Sequence, residues 1–220
     1  MLKKIFISML VACVFLLSSV ASAFAAATGD GAVRVATVDN YYGVTATLTI
    51  PSGVTVPSDN SSYIAFYTGL GERCEGGISY KNGLWRKFLN CGGGENDTGS
   101  NESVVLSTQP TAETTYIIKI VNNLDNTASL YLNGSLQFTK KVFTGTLLSA
   151  TPVKVVHSTS DLSDKNAYSN AIFSNMQVRS SSGVYSAFPT NIQSDNIYPW
   201  GKGDYSVPSL NPLQTSLKAG

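Results

Sequence analysis

From about residue 30 onward, apolar residues recur in short alternating runs and never at helical spacing. Val44 to Ile50 is typical: even positions are apolar and odd positions are threonine. Period-two alternation with β-branched and aromatic enrichment marks half-buried strands. The pattern predicts strands near 31–37, 42–50, 62–69, 75–81, 84–90, 102–107, 114–121, 127–132, 135–143, 152–158 and 170–179. Turn formers separate them: Pro51-Ser52-Gly53, Asn82-Gly83, Asn122-Asn123, Asn133-Gly134 and the loop from Ser160 to Asn166. No repeat of fixed period is visible. Many short strands with even turn spacing predict an all-β sandwich or barrel.

The first segment reads differently. Lys3 and Lys4 precede an apolar run from Ile5 to Val20, and Ala21-Ser22-Ala23 offers small residues for cleavage. This is the pattern of a secretory signal peptide, predicted over 1–27 with cleavage near 23–27. The run is shorter than the roughly 20 residues a membrane span needs, and no later segment is apolar enough. Leu10-Val11-Ala12-Cys13 resembles a lipoprotein cleavage box, but Val14 to Leu17 stays apolar where a lipoprotein turns polar. Export to the extracellular space is the expectation, with lipid anchoring at Cys13 the alternative.

Composition narrows the function. Charged residues are 13% and the formal net charge is +1. Without Lys3 and Lys4, 13 basic residues face 14 acidic ones, a net charge of −1. A chain so nearly neutral is no electrostatic nucleic-acid binder. Beyond the signal only Cys74 and Cys91 remain, an even pair for an oxidising compartment.

The pair also follows from strand register. Asn82-Gly83 suits a two-residue type I′ hairpin turn, which needs positive φ at both positions. The turn sets Lys81 opposite Leu84, Tyr80 opposite Trp85, Ile78 opposite Lys87 and Gly76 opposite Leu89. Continued back, the register brings Cys74 opposite Cys91 at a non-hydrogen-bonded pair, where side chains come closest. A cross-strand disulfide is expected, with two unpaired thiols as the alternative and a bulge at Gly76-Gly77 as the feature that would shift the register. The register also sorts the faces. One carries Ile78, Tyr80, Trp85, Leu89 and the cysteines, with Lys87 the exception. The other carries Glu75, Ser79, Arg86, Phe88 and Asn90. The first is read as core and the second as open; the reverse would make Tyr80 and Trp85 an exposed platform.

A family resemblance enters at Thr115 to Asn122 followed by Ala128 to Gly134. This strand-turn-strand segment resembles that of concanavalin A-like jelly rolls, including laminin G-type domains and legume-lectin or glucanase relatives. Ala171 to Val178 is similar to the closing strand of that superfamily, and Tyr63 to Tyr67 leading to Gly77 to Tyr80 resembles its central pair. The chain as a whole also resembles small secreted proteins of Gram-positive bacteria. The resemblance implies two antiparallel sheets that often bind glycan. It does not extend to catalytic motifs. The Glu-x-Asp-x-x-Glu or Glu-x-Asp-x-Glu strand of the glucanases is missing, and Val155-Val156-His157 lacks the Gln of the alginate-lyase pattern.

Candidate chemistry is sparse. His157 is the only histidine and no Gly-x-Ser-x-Gly elbow accompanies it, so it reads as a surface or semi-buried strand-end group. Glycoside hydrolysis needs two carboxylates. Glu72 and Glu75 are nearest in sequence but fall on opposite faces of a regular strand; Glu75 with Glu102 or Glu113 needs folded geometry. Glu75 and Arg86 suggest a cross-strand ion pair or diagonal contact. Asp161, Asp164 and Asn166 share a loop and form the metal candidate, for Ca²⁺. Glycan binding needs aromatic faces and planar polar groups; Trp85, Arg86, Phe88 and Asn90, with Glu75 nearby, form the best cluster. Trp200 lies in a Gly/Pro-rich stretch read as a binding loop or a strap over the sheet.

The predicted architecture is an all-β, two-sheet antiparallel jelly roll spanning 28–188. A Pro-rich arm, 189–220, is packed on the same domain with a mobile end. The expected function is non-catalytic binding of a polysaccharide or other extracellular polymer by a monomer. A glycoside hydrolase or polysaccharide lyase is the rival, and a structural or interaction protein of the cell envelope or matrix the third reading.

Overall fold

Alternating strands bury one face each, so they need a second layer to close on. The computed structural model describes residues 30–92, 97–161, 163, 165–193, 200–201 and 204–219, and it supplies two such layers. The predicted signal segment lies outside the described residues. About 64% of the chain is strand, and no helix among the described residues is long and apolar enough to cross a membrane.

The strands in chain order are β1 (Asp30–Tyr41), β2 (Gly43–Thr49), β3 (Ser52–Thr55), β4 (Tyr63–Leu70), β5 (Cys74–Lys81), β6 (Leu84–Asn90), β7 (Asn101–Val105) and β8 (Thr115–Asn122). They continue as β9 (Thr127–Leu132), β10 (Ser135–Lys141), β11 (Thr151–Ser160), β12 (Ala167–Arg179), β13 (Tyr185–Ala187), β14 (Trp200–Gly201), β15 (Asp204–Leu210) and β16 (Leu213–Lys218). The first sheet runs β14-β1-β11-β4-β5-β6-β7. The second runs β10-β9-β8-β2-β12-β16-β15, with β3 and β13 paired to β12. All pairings between these strands are antiparallel. This is the expected all-β, two-sheet antiparallel β-sandwich.

The core lies between the inner faces. Val44, Ala46 and Leu48 of β2 and Ile118 and Ile120 of β8 meet Ile64 and Phe66 of β4 and Ile78 of β5, all buried. The threonines that alternate with the β2 core residues face outward. Alternation alone therefore sets which side of each sheet is available for function.

The C-terminal arm adds two strands to the second sheet. Its last residues form β16, an internal strand whose Leu213, Thr215 and Leu217 are buried. Their alternation continues the core of β12, with which β16 pairs. Pro208 sits in β15, at the sheet edge, where its missing N–H costs no ladder bond.

Candidate functional site

The β5–β6 hairpin has the predicted register throughout, from Lys81 opposite Leu84 to Glu75 opposite Asn90. Asn82 and Gly83 take φ of 51° and 77°, as a type I′ turn requires. Cys74 and Cys91 form a disulfide with Cα atoms 4.0 Å apart. Gly76-Gly77 carries no bulge. A Cβ on Gly77 would stand 2.2 Å from the Phe66 carbonyl oxygen and 2.6 Å from the Tyr67 Cα. Glycine is therefore what lets β4 and β5 pair here beside the Tyr67 ring.

The register fixes the outward face, which β4 and β11 extend. One row across the sheet is Arg34, Val156, Tyr67, Gly77, Phe88 and Ser103. Its neighbours are Ala32, Ser158, Ala65, Ser79, Arg86 and Val105 on one side, and Ala36, Lys154, Gly69, Glu75, Asn90 and Asn101 on the other. Small residues down the middle leave a groove of about 720 Å³, walled by Tyr63, Tyr67, Phe88, Arg86, Glu75 and Asn90 among others. The rings of Tyr67 and Phe88 meet edge to face at 5.9 Å. Burial, together with the nearby Glu75 and Tyr63, raises the Tyr67 phenol well above its ordinary value despite a hydrogen bond with Ser158. It is a neutral hydroxyl at any physiological pH.

Four of the sequence candidates thus share this groove: Glu75, Arg86, Phe88 and Asn90. Trp85 does not join them. It points the other way, 5% exposed, with its ring against Tyr80 at 5.1 Å and Phe66 at 6.3 Å. It is a core residue and offers no platform to a ligand. Lys87, the odd cation on that inner face, escapes at the rim: its Nζ donates to Gln137 at 2.6 Å and lies over the Phe138 ring. Trp200 contributes backbone pairing with Ala32 at the β1 edge; its side chain lies outside the described residues.

The expected Glu75–Arg86 contact is absent, because the two sit four positions apart across the hairpin, beyond diagonal reach. Arg86 turns toward β7 instead. Its Nε donates to Ser103 Oγ at 3.0 Å and its Nη2 to the Ser103 carbonyl at 3.3 Å. Glu75 accepts an ion pair from Lys154 Nζ at 2.6 Å. Lys154 belongs to β11, two strands away, and crosses β4 over Gly69. A Cβ there would lie 2.7 Å from the Lys154 Cε. Its ammonium, almost fully buried, also meets Glu72 at 3.0 Å, and Glu72 takes Arg34 at 2.6 Å. Glu72 and Glu75 come together because Glu72 lies in the turn before β5, where strand parity does not apply. Burial alone would raise the Glu72 carboxyl, but Lys154 and Arg34 outweigh it and leave it below its ordinary value. Glu102 faces away from the groove and pairs with Lys140 of the other sheet at 2.6 Å.

The remaining candidates lie elsewhere. His157 is no surface group: it is wholly buried between the sheets, Nδ1 2.6 Å from Thr215 Oγ1, and burial lowers it to about 3. It is a neutral structural residue with no route to a substrate. In the metal-candidate loop, the Asp161 carboxylate accepts backbone N–H groups of Ser163, Lys165 and Asn166. Asn166 donates its amide to Thr159 Oγ1 and to two carbonyls. These contacts fold the loop and place donors around the carboxylate, where a cation would need acceptors. Asp164 lies outside the described residues. Among the described residues no cluster of three or more His, Cys, Asp or Glu could hold a metal ion.

Sequence reasoning missed Tyr63, Tyr67, Lys154 and Ser158 as parts of this face. Parity along 62–69 and 152–158 was available to find them. What was missing was the strand order that lays β11 beside β4 and β5.

No family model matches the chain, and no curated protein matches it. Solved structures do resemble it. Scytalido-glutamic peptidase with a transition state analog inhibitor is similar at a TM-score of 0.51 and 13% identity, over 88% of this chain and 99% of that one. Its complex with a peptide based analog gives 0.50 and 14% over the same shares. A GH16 endo-glucanase from Bacteroides ovatus gives 0.36 and 9% over 60% of this chain and 66% of that one. At such identities the peptidase likeness shows a shared fold and leaves function to the residues of the groove.

Proposed function

We propose that the protein is an exported, non-catalytic module that binds an extracellular glycan in the groove on the outer face of the first sheet. The observation that carries this is the composition of that one face. Tyr63, Tyr67 and Phe88 supply aromatic surface for sugar C–H groups, and Arg86, Asn90 and Glu75 supply planar polar groups for hydroxyls. The groove is open and crosses several strands, which suits a polymer. The Cys74–Cys91 disulfide is compatible with an extracellular setting.

An enzyme on this fold would need a carboxyl free to give or take a proton. That requirement applies to a glycosidase, and equally to a peptidase named for glutamate. Glu75 and Glu72 lie at the groove and its margin, and one buried ammonium pairs with both carboxylates. That arrangement favours binding over catalysis. The third reading, an interaction protein, would use the outer face of the second sheet, where Ile117 is half exposed beside Thr47.

The test is an array of glycans and cell-wall polysaccharides probed with the oxidised protein, with Tyr67→Ala and Phe88→Ala beside Ile117→Ser. Saturable binding lost in the groove variants, kept in Ile117→Ser and without product release is the expected result. A folded protein that binds nothing, or binding that only Ile117→Ser abolishes, would sink the proposal.

A further inference from the structure

The charges of the groove do not balance, and the surplus points to a ligand class. Glu75 is the acid that faces the groove, and Glu102 borders it but turns toward the other sheet. Glu75 is matched by Lys154, and the four-residue cluster of Lys154, Arg34, Glu72 and Glu75 is neutral as a whole. Glu102 is matched by Lys140. Two lining cations remain, Arg86 and Lys81, and neither has a carboxylate partner among the described residues.

Arg86 is more than a surface charge. Ser103 holds its Nε and Nη2 through two hydrogen bonds, which fix the guanidinium plane on the sheet face. Nη1 accounts for none of these bonds and keeps its donors for a ligand. A guanidinium fixed in this way has lost its rotamer entropy before binding, and its fork geometry matches an oxyanion. Phe88 lies two residues further along β6 on the same face, about 7 Å away at strand rise. A sugar ring stacked on Phe88 would therefore carry a charged substituent within reach of Arg86. Lys81, at the hairpin end, extends the positive strip toward Tyr63.

Resting on the groove as the glycan site, we infer that its ligand is an anionic polysaccharide whose oxyanion groups are received by Arg86, with Lys81 as the second cation. The shared chemistry is an oxyanion on a sugar polymer, either a uronate carboxylate or a sulfate ester.

The experiment measures binding of the oxidised protein to two matched pairs by affinity electrophoresis and calorimetry: polygalacturonate against its full methyl ester, and dextran sulfate against dextran. The variants are Arg86→Gln, Arg86→Lys, Lys81→Gln and Phe88→Ala, each checked for an unchanged thermal midpoint. The expected result is binding of a charged polymer and not of its neutral counterpart. Affinity should fall about tenfold or more in Arg86→Gln and less in Arg86→Lys and Lys81→Gln. The pair that shows this names the source, carboxylate or sulfate. Should Arg86→Gln lose its fold, Lys81→Gln and the response to added salt carry the test. If the neutral member binds as tightly and Phe88→Ala weakens it, the charge inference is overturned while the groove stands. Charged-polymer binding indifferent to both cation variants overturns it, as does absence of binding to all four polymers. In that last case, the polysaccharide array tells whether the groove reading falls with it.

Discussion

His157 makes the sandwich sensitive to mild acid. The ring is fully buried, edge-on to Phe66 at 5.0 Å and tilted over Phe173 at 5.1 Å. Its polar partner among the described residues is Thr215, which also bonds the Tyr168 hydroxyl at 2.7 Å. Burial lowers its pKa to about 3, against about 6.5 in an unfolded chain. Between those values the unfolded state binds a proton that the folded state refuses. Folding stability therefore falls as pH drops through that window. From pH 7 to pH 5 this one group should remove about 1.9 kcal/mol. The depressed carboxyls Glu72 and Asp161 act in the same direction but only as pH falls through the lower carboxylate range, so pH 5 to 7 isolates the histidine. Urea unfolding of the oxidised protein at pH 7, 6 and 5 gives the wild-type slope, and His157→Leu gives the reference. The wild type should lose about 1.9 kcal/mol more than the variant over that interval. Parallel pH dependence, within about 0.5 kcal/mol, would refute a neutral buried histidine.

Three further outcomes follow from the site. Glu75→Gln leaves the buried Lys154 ammonium with Glu72 alone and should cost about 2 kcal/mol, whereas Lys154→Met leaves two carboxylates that water can reach and should cost about 1 kcal/mol or less; denaturant midpoints that reverse this order would contradict the geometry. Gly77→Ala forces a methyl against the Phe66 carbonyl and should cost about 3 kcal/mol or more; a thermal midpoint equal to wild type would be the contrary result. Reducing Cys74–Cys91, which are 17 residues apart, should cost about 3 kcal/mol by loss of the loop constraint, and a reduced protein with an unshifted urea midpoint would show that the constraint contributes nothing.

Local rules made the hairpin legible from sequence. A two-residue turn fixes register, register fixes the faces, and so Cys74–Cys91, the inward Trp85 and the outward Arg86, Phe88 and Asn90 all follow from Asn82-Gly83. Parity failed where it had no strand to act on: Glu72 lies in a turn, so it joins Glu75 at Lys154 instead of opposing it. Lys154 itself could not be placed, because its partner is set by a β11-β4-β5 order that closes over some 80 residues of chain. The burial of His157 depends likewise on Phe66 from one sheet and Thr215 from the other. Prolines in the C-terminal arm masked β15 and β16, since proline argues against an interior strand and only the edge position of β15 removes the objection.

The central claim is that the outer face of the first sheet is the binding surface. The most direct measurement is a backbone amide shift titration of the oxidised, isotope-labelled protein with the polysaccharide that scores highest on the array, supplied as oligosaccharides. The account predicts shifts concentrated at Tyr67, Ser79, Arg86, Phe88 and Ser103, with Thr47, Ile117 and Tyr131 on the opposite sheet unmoved. Shifts concentrated at those second-sheet residues, with the groove silent, would contradict it.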